Sequence, residues 1–351
     1  MGVGELKNLR DGLMHHFADE VRLHAFEATM LVFNSVFWSI LAVVVFRDPR
    51  HGLIWLLGPL LCTVGALSER TRVERARAIA VNLLQFGFFQ FLYSALEPYW
   101  LAVALVTPFA VWIASKRRRG NNAGAVMVAS IMNFEKGSFL IGLDTFCMLV
   151  ALITVIVPTY LLLDRMLFGS REWPGSPSTP RMPGDAVIRR ICAFMFALFL
   201  FDMLDWKFGY WIPLTVGLCY SGGGSGKAVR HVAMLRLVWA PLGFTLAVAW
   251  LGTVGYIDYQ FNYLAVIWAF VAFYYCFRAD DYIGFYLLFM VMISGANNLS
   301  MGEFADYGNG WNMIVQSTFA VAIGAGLVEL AEFRLDPPCC VEDFEDEKKT
   351  A

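Results

Sequence analysis

Asp202 and Asp205 stand three residues apart in the stretch FALFLFDMLDWKFG, otherwise almost wholly apolar. On an α-helix that spacing puts both carboxylates on one face. A carboxyl held in apolar surroundings can take up and release protons near neutral pH, which is the chemistry of proton coupling. Asp144, in IGLDTFCML, is a second acid considered for that task. The other reading of all three is a solvated acid at a helix end, where a helix N-terminus favours negative charge.

Two arginines offer the complementary chemistry. Arg77 and Arg236 each lie at or near the start of a long apolar run. A guanidinium drawn into the interior binds a carboxylate through two parallel hydrogen bonds. Left at the surface, it merely snorkels to the headgroups. Trp55 and Trp211 could stack on an aromatic substrate or anchor helices at the membrane interface. Asn34, Asn82, Gln85 and Gln90 could line a polar path or bond between helices.

Other chemistries find little support. WIPLTVGLCYSGGGSGKAVRH ends in glycines and Gly226-Lys227, which invites a phosphate-loop reading. A phosphate loop needs glycine, four residues, then Gly-Lys-Ser/Thr. Here Ser221 takes the first place and Ala228 the last. The five histidines form no HExxH pattern, and there is no Gly-x-Ser-x-Gly elbow. The seven cysteines have no metal-ligand spacing and read as reduced packing residues. The expectation is a non-enzyme without cofactor or metal.

The elements that must position these residues are membrane segments. Of 351 residues, 58% are hydrophobic and 16% charged. Soluble domains average roughly 25% charged residues, so a bilayer is the solvent this composition suits. A net charge of −2 gives no sign of nucleic-acid binding. Twelve apolar segments can be read, at about 28–46, 52–67, 78–96, 98–115, 122–135, 141–163, 188–205, 209–222, 232–253, 260–277, 282–296 and 311–332. With a cytoplasmic N-terminus, the outer loops carry Arg47, Arg50, Lys136 and Lys207, four of the 27 basic residues. That asymmetry sets the orientation and puts both termini in the cytoplasm.

The organisation expected is all-α and polytopic. A cytoplasmic amphipathic helix (1–27) precedes a first six-helix repeat (28–168). A Pro/Gly/Ser-rich linker (169–187), a second six-helix repeat (188–334) and a charged tail (335–351) follow. The repeat shows in GLIWLLGPLLCTVGALS and GYWIPLTVGLCYSGGGS. With Gly52 on Gly209, Cys62 falls on Cys219, Gly65 on Gly222 and Ser68 on Ser225. Six helices is an even number, so the halves would share one orientation. Short segments interrupted by Gly or Pro at matching places in two halves point to a transport site, here 52–67 and 209–222.

At this point the chain resembles the fusaric acid resistance/aromatic acid exporter family. That family's pattern is similar to Tyr-Trp-x-Pro-Leu-Thr followed by Arg-Ile-x-Gly-Thr-x-x-Gly. Tyr210, Trp211, Pro213, Leu214, Thr215, Arg236 and Gly243 match; Trp239 and Ala240 depart from it. In the first half only Trp55, Pro59 and Arg77 remain. The resemblance implies a bacterial inner-membrane exporter of aromatic or other organic acids, sometimes working with a periplasmic adaptor protein. Trp55, Arg77, Trp211, Pro213, Thr215 and Arg236 would then form the substrate site, with Asp202 and Asp144 in proton coupling. A passive organic-anion channel and a non-transporting membrane scaffold remain as alternatives. The expected partners are a small organic anion and the lipid bilayer, with a homodimer as a further candidate state.

Overall fold

A computed structural model describes residues 71–96, 98–115, 139–168, 184–206, 208–221, 226–257 and 307–333, with single positions between 34 and 69. The described chain is all-helical. Its helices are α1 (Arg72–Ala95), α2 (Tyr99–Ser115), α3 (Phe139–Phe168), α4 (Gly184–Leu204), α5 (Trp211–Ser221), α6 (Gly226–Ile257) and α7 (Tyr307–Phe333). Three of them contain stretches long and apolar enough to cross a membrane: Arg72–Ala95, Gly142–Met166 and Ile314–Glu332. Seven of the twelve expected segments thus coincide with helices. Residues 34, 35, 37, 38 and 41 and residues 59, 62, 63 and 66 are also helical, within the first two segments. Segments 122–135, 260–277 and 282–296 lie outside the described residues, as do the N-terminal 1–27 and the tail.

Local chemistry moves some boundaries. α1 begins six residues before the expected 78, because Thr71 caps it. The Thr71 hydroxyl accepts from the Glu74 N–H at 3.2 Å, and the Glu74 carboxylate accepts from the Thr71 N–H at 3.1 Å. This reciprocal box satisfies two donors that a helix start leaves open. α6 begins at Gly226, so Gly226 to His231 of the glycine-rich stretch already belong to a helix. α4 ends in a turn where Asp205 takes a φ of 46°.

α1 packs along α3, and α6 along α7. α5 sits among α4, α6 and α7, while α2 packs on α4. The closest approaches use glycines. A Cβ on Gly142 of α3 would lie 2.5 Å from Ser94 Cβ of α1. On Gly324 of α7 it would lie 2.7 Å from the Ile212 carbonyl oxygen and 2.9 Å from Thr215 Cβ of α5. Small residues at such contacts are what let membrane helices approach. Gly324→Ala and Gly142→Ala are each expected to lower stability by roughly 1–3 kcal/mol, the cost of overpacking. Gly326→Ala, where a Cβ meets nothing within 4 Å, should be near neutral or mildly stabilising. Thermal unfolding of the three variants in detergent checks the ranking.

Charge joins each of the two long pairs at one end. Arg72 Nε donates to Asp164 of α3, and Arg75 Nη2 lies 3.8 Å from the same carboxylate. Arg75 Nε also donates to the Tyr160 hydroxyl at 2.7 Å. In the other pair, Arg230 Nε of α6 donates to Glu329 of α7 at 2.7 Å. Asp164 and Glu329 each stand four residues before the last residue of their helix.

Candidate anion site

The site is built around α5. Its eleven residues rise about 16 Å, half of the roughly 30 Å of a bilayer core. Trp211 to Tyr220 are buried at every position. A helix apolar on all sides belongs inside protein, and the short segment expected at 209–222 is such a helix. Trp211 and Thr215, four residues apart, lie on one face of it. Trp211 packs edge-on against Phe244 of α6, with ring centroids 4.9 Å apart. Thr215 packs against Gly324 of α7. Pro213 is buried within the first turn of α5, where its missing N–H leaves no bond unmade.

Arg236 enters from α6. It is 1% exposed, among the largest fully buried side chains of the molecule. It stands six residues after Arg230, about 9 Å along the helix axis. α6 packs along α7 and against α5, and these three helices enclose a seam.

Two hydroxyls of this seam, like Ser94 Oγ on α1, lack a partner among the described residues. In an apolar setting a helical threonine usually donates back to a carbonyl three or four residues earlier. Thr154, Thr159 and Thr245 do so. Thr215 Oγ1 and Ser317 Oγ do not; both are fully buried, and like Trp211 Nε1 they have no hydrogen-bond partner among the described residues. Ser317 lies seven residues, two turns, before Gly324 and so on the same face of α7. Unmet buried donors normally cost about 1–3 kcal/mol each. Three such groups among the described residues line a seam to which α6 also contributes a buried arginine, a setting suited to an acceptor-rich, negatively charged guest.

At the Tyr220 end of α5 lies a second buried arginine. Arg190 of α4, 5% exposed, lies 4.8 Å from the Tyr220 ring centroid and donates to the Tyr220 carbonyl at 3.4 Å. Glu332, also buried, lies close enough for its charge to act on both.

Trp211, Pro213 and Thr215 stand together on α5, with Arg236 buried on the neighbouring α6. Arg77 is exposed on α1; its neighbours Arg72 and Arg75 hold Asp164 instead. Asp144, near the start of α3, and Asp202, near the end of α4, are both exposed, as is Asp205. Trp55 lies outside the described residues. Arg75, Arg190, Arg230, Ser317 and Gly324 were not singled out by sequence. For Arg75 the signal was present: with Ile79, Asn82 and Phe86 it follows the buried stripe of α1, whereas Arg77 is two residues off it. A polar knot away from the seam joins Asn34, Trp38 and Thr159, with Asn34 Nδ2 donating to the Ile156 carbonyl at 3.1 Å. No protein-family model, curated protein or solved structure matches the chain.

Proposed function

We propose that the protein is a multi-pass carrier of organic anions whose binding site is the α5–α6–α7 seam. The observation that carries this reading is Arg236, buried on α6 next to a short enclosed helix, α5, whose Trp211 and Thr215 carry donors without a partner among the described residues. An ionisable group this deep in an apolar helical body is a functional-site hypothesis by default. Arg236 would hold a carboxylate, Thr215 and Trp211 Nε1 would donate to it, and the Trp211–Phe244 pair would flank a ring. Export of aromatic acids from the bacterial cytoplasm across the inner membrane, with or without a periplasmic adaptor, is the version the Tyr210–Gly243 motif favours.

A twelve-helix body of two parallel repeats belongs to the same proposal. The matched pairing of α1 with α3 and α6 with α7 supports it, each pair joined by an arginine and an acid at equivalent places. The exposure of Asp202 and Asp144 favours a passive anion channel as the second reading, since neither acid is buried by protein. Purified protein in liposomes under an inward-acid pH gradient separates the two. Substrate-dependent proton movement that is lost in Asp202→Asn supports a coupled carrier. Benzoate flux unaccompanied by protons supports the channel. No flux of any carboxylate from folded protein would refute both and favour a scaffold.

A further inference from the structure

Resting on that reading, we infer that Glu329 is a tethered stand-in for the transported anion, closing the inner end of the seam by occupying Arg230.

The two arginine–acid pairs differ in a way that a purely structural role does not require. Asp164 is 9% exposed and is held by Arg72, 26% exposed, and faces Arg75, 5% exposed and bonded to Tyr160. A pair so enclosed, sharing one carboxylate between two guanidinium groups, is fixed. Arg230 and Glu329 are 33% and 26% exposed. Such a pair is worth little net and exchanges readily with water and ions. The second pair is therefore the one able to open.

Its position gives the opening a purpose. Read inward along the seam, the donors fall in sequence: Ser317 on α7, Trp211 and then Thr215 on α5, then Arg236, eight residues or about 12 Å along α6 from the Phe244 that meets Trp211, and Arg230 about 9 Å further. Glu329 lies on Arg230 at the end of this line. The other inner acid, Glu332, is buried beside Arg190 and Tyr220. Glu329 is thus the carboxylate that an anion leaving Arg236 for the inner face meets on the next cation. A carboxylate substrate displaces it by presenting the same group to the same arginine, and when the substrate leaves, Glu329 returns.

The test uses the full-length protein in liposomes with benzoate as the probe anion. Glu329→Gln should lower the KM for benzoate about two- to fivefold, the factor a partly exposed ion pair contributes. It should also raise passive benzoate leak. Glu329→Asp, whose shorter side chain reaches Arg230 less well, should lie between it and the wild type. Arg230→Gln should lose flux. The exchanged double variant Arg230→Glu/Glu329→Arg should stay defective, because it puts an acid where the anion must dock. Restoration of wild-type flux by the exchange would overturn the inference, since it shows that only the link between α6 and α7 matters. A wild type that moves benzoate while Glu329→Gln shows an unchanged KM and leak would overturn it as well, leaving the anion site intact. A folded wild type with neither benzoate flux nor a benzoate-induced shift in Tm would overturn both the inference and the anion reading.

Discussion

Replacing Asp164 by alanine should cost about 3–5 kcal/mol of stability, the range found when one partner of a buried ion pair is removed. The carboxylate is almost enclosed and accepts from Arg72 while facing Arg75. Without it, two guanidinium groups lie side by side and uncompensated between α1 and α3. Arg75 cannot easily withdraw, because it is buried and held by Tyr160 and by the Glu69 carbonyl. Asp164→Asn keeps the shape and one acceptor, so it should fall short of the alanine cost. Adding Arg75→Met to Asp164→Ala should recover part of the loss, since the apolar stem remains while one stranded charge goes. Thermal and denaturant unfolding in detergent measure all three. A loss below about 1 kcal/mol would place this pair among surface bridges of little consequence.

Arg236→Met should abolish carboxylate flux while leaving the protein folded. Methionine fills much of the volume of the arginine stem, and removing a buried charge spares the desolvation that the charge imposes. Stability should therefore hold or rise, even as transport falls at least about a hundredfold, the scale set by losing a charge-assisted bidentate contact. Arg236→Lys keeps the charge but loses the planar fork, and should retain weak flux with a raised KM. Transport and Tm moving in opposite directions is the signature sought. If both fall together, Arg236 serves packing alone and the anion site must lie elsewhere.

The amino-acid sequence carries the helical architecture well and the site only in part. Long apolar runs mark α1 to α7 because apolar length is a local property of the chain. Thr71 and Glu74 mark the start of α1 for the same reason, through a three-residue spacing. The seam is different. Trp211, Thr215 and Arg236 are visible as a motif, yet their burial follows from α7 pressing Gly324 against Thr215, a contact across more than a hundred residues. Ser317 carries no local mark, since a serine in an apolar helix usually bonds its own backbone. Asp202 shows the opposite case. It stands in a run as apolar as any, but lies on the open side of α4, while Phe194, Ala197, Leu198 and Phe201 take the packed side. An apolar run shows that a segment is surrounded, not which of its sides meets protein.

The contact between α2 and α4 has a mechanical meaning. Among the described helices it is the principal junction between residues before 169 and residues after 183. On one side, α1 and α3 are bound along their length; on the other, α5 is wedged among α4, α6 and α7. In the proposed carrier, this line is where the two groups of helices would tilt past one another, carrying α5 and α6 along together.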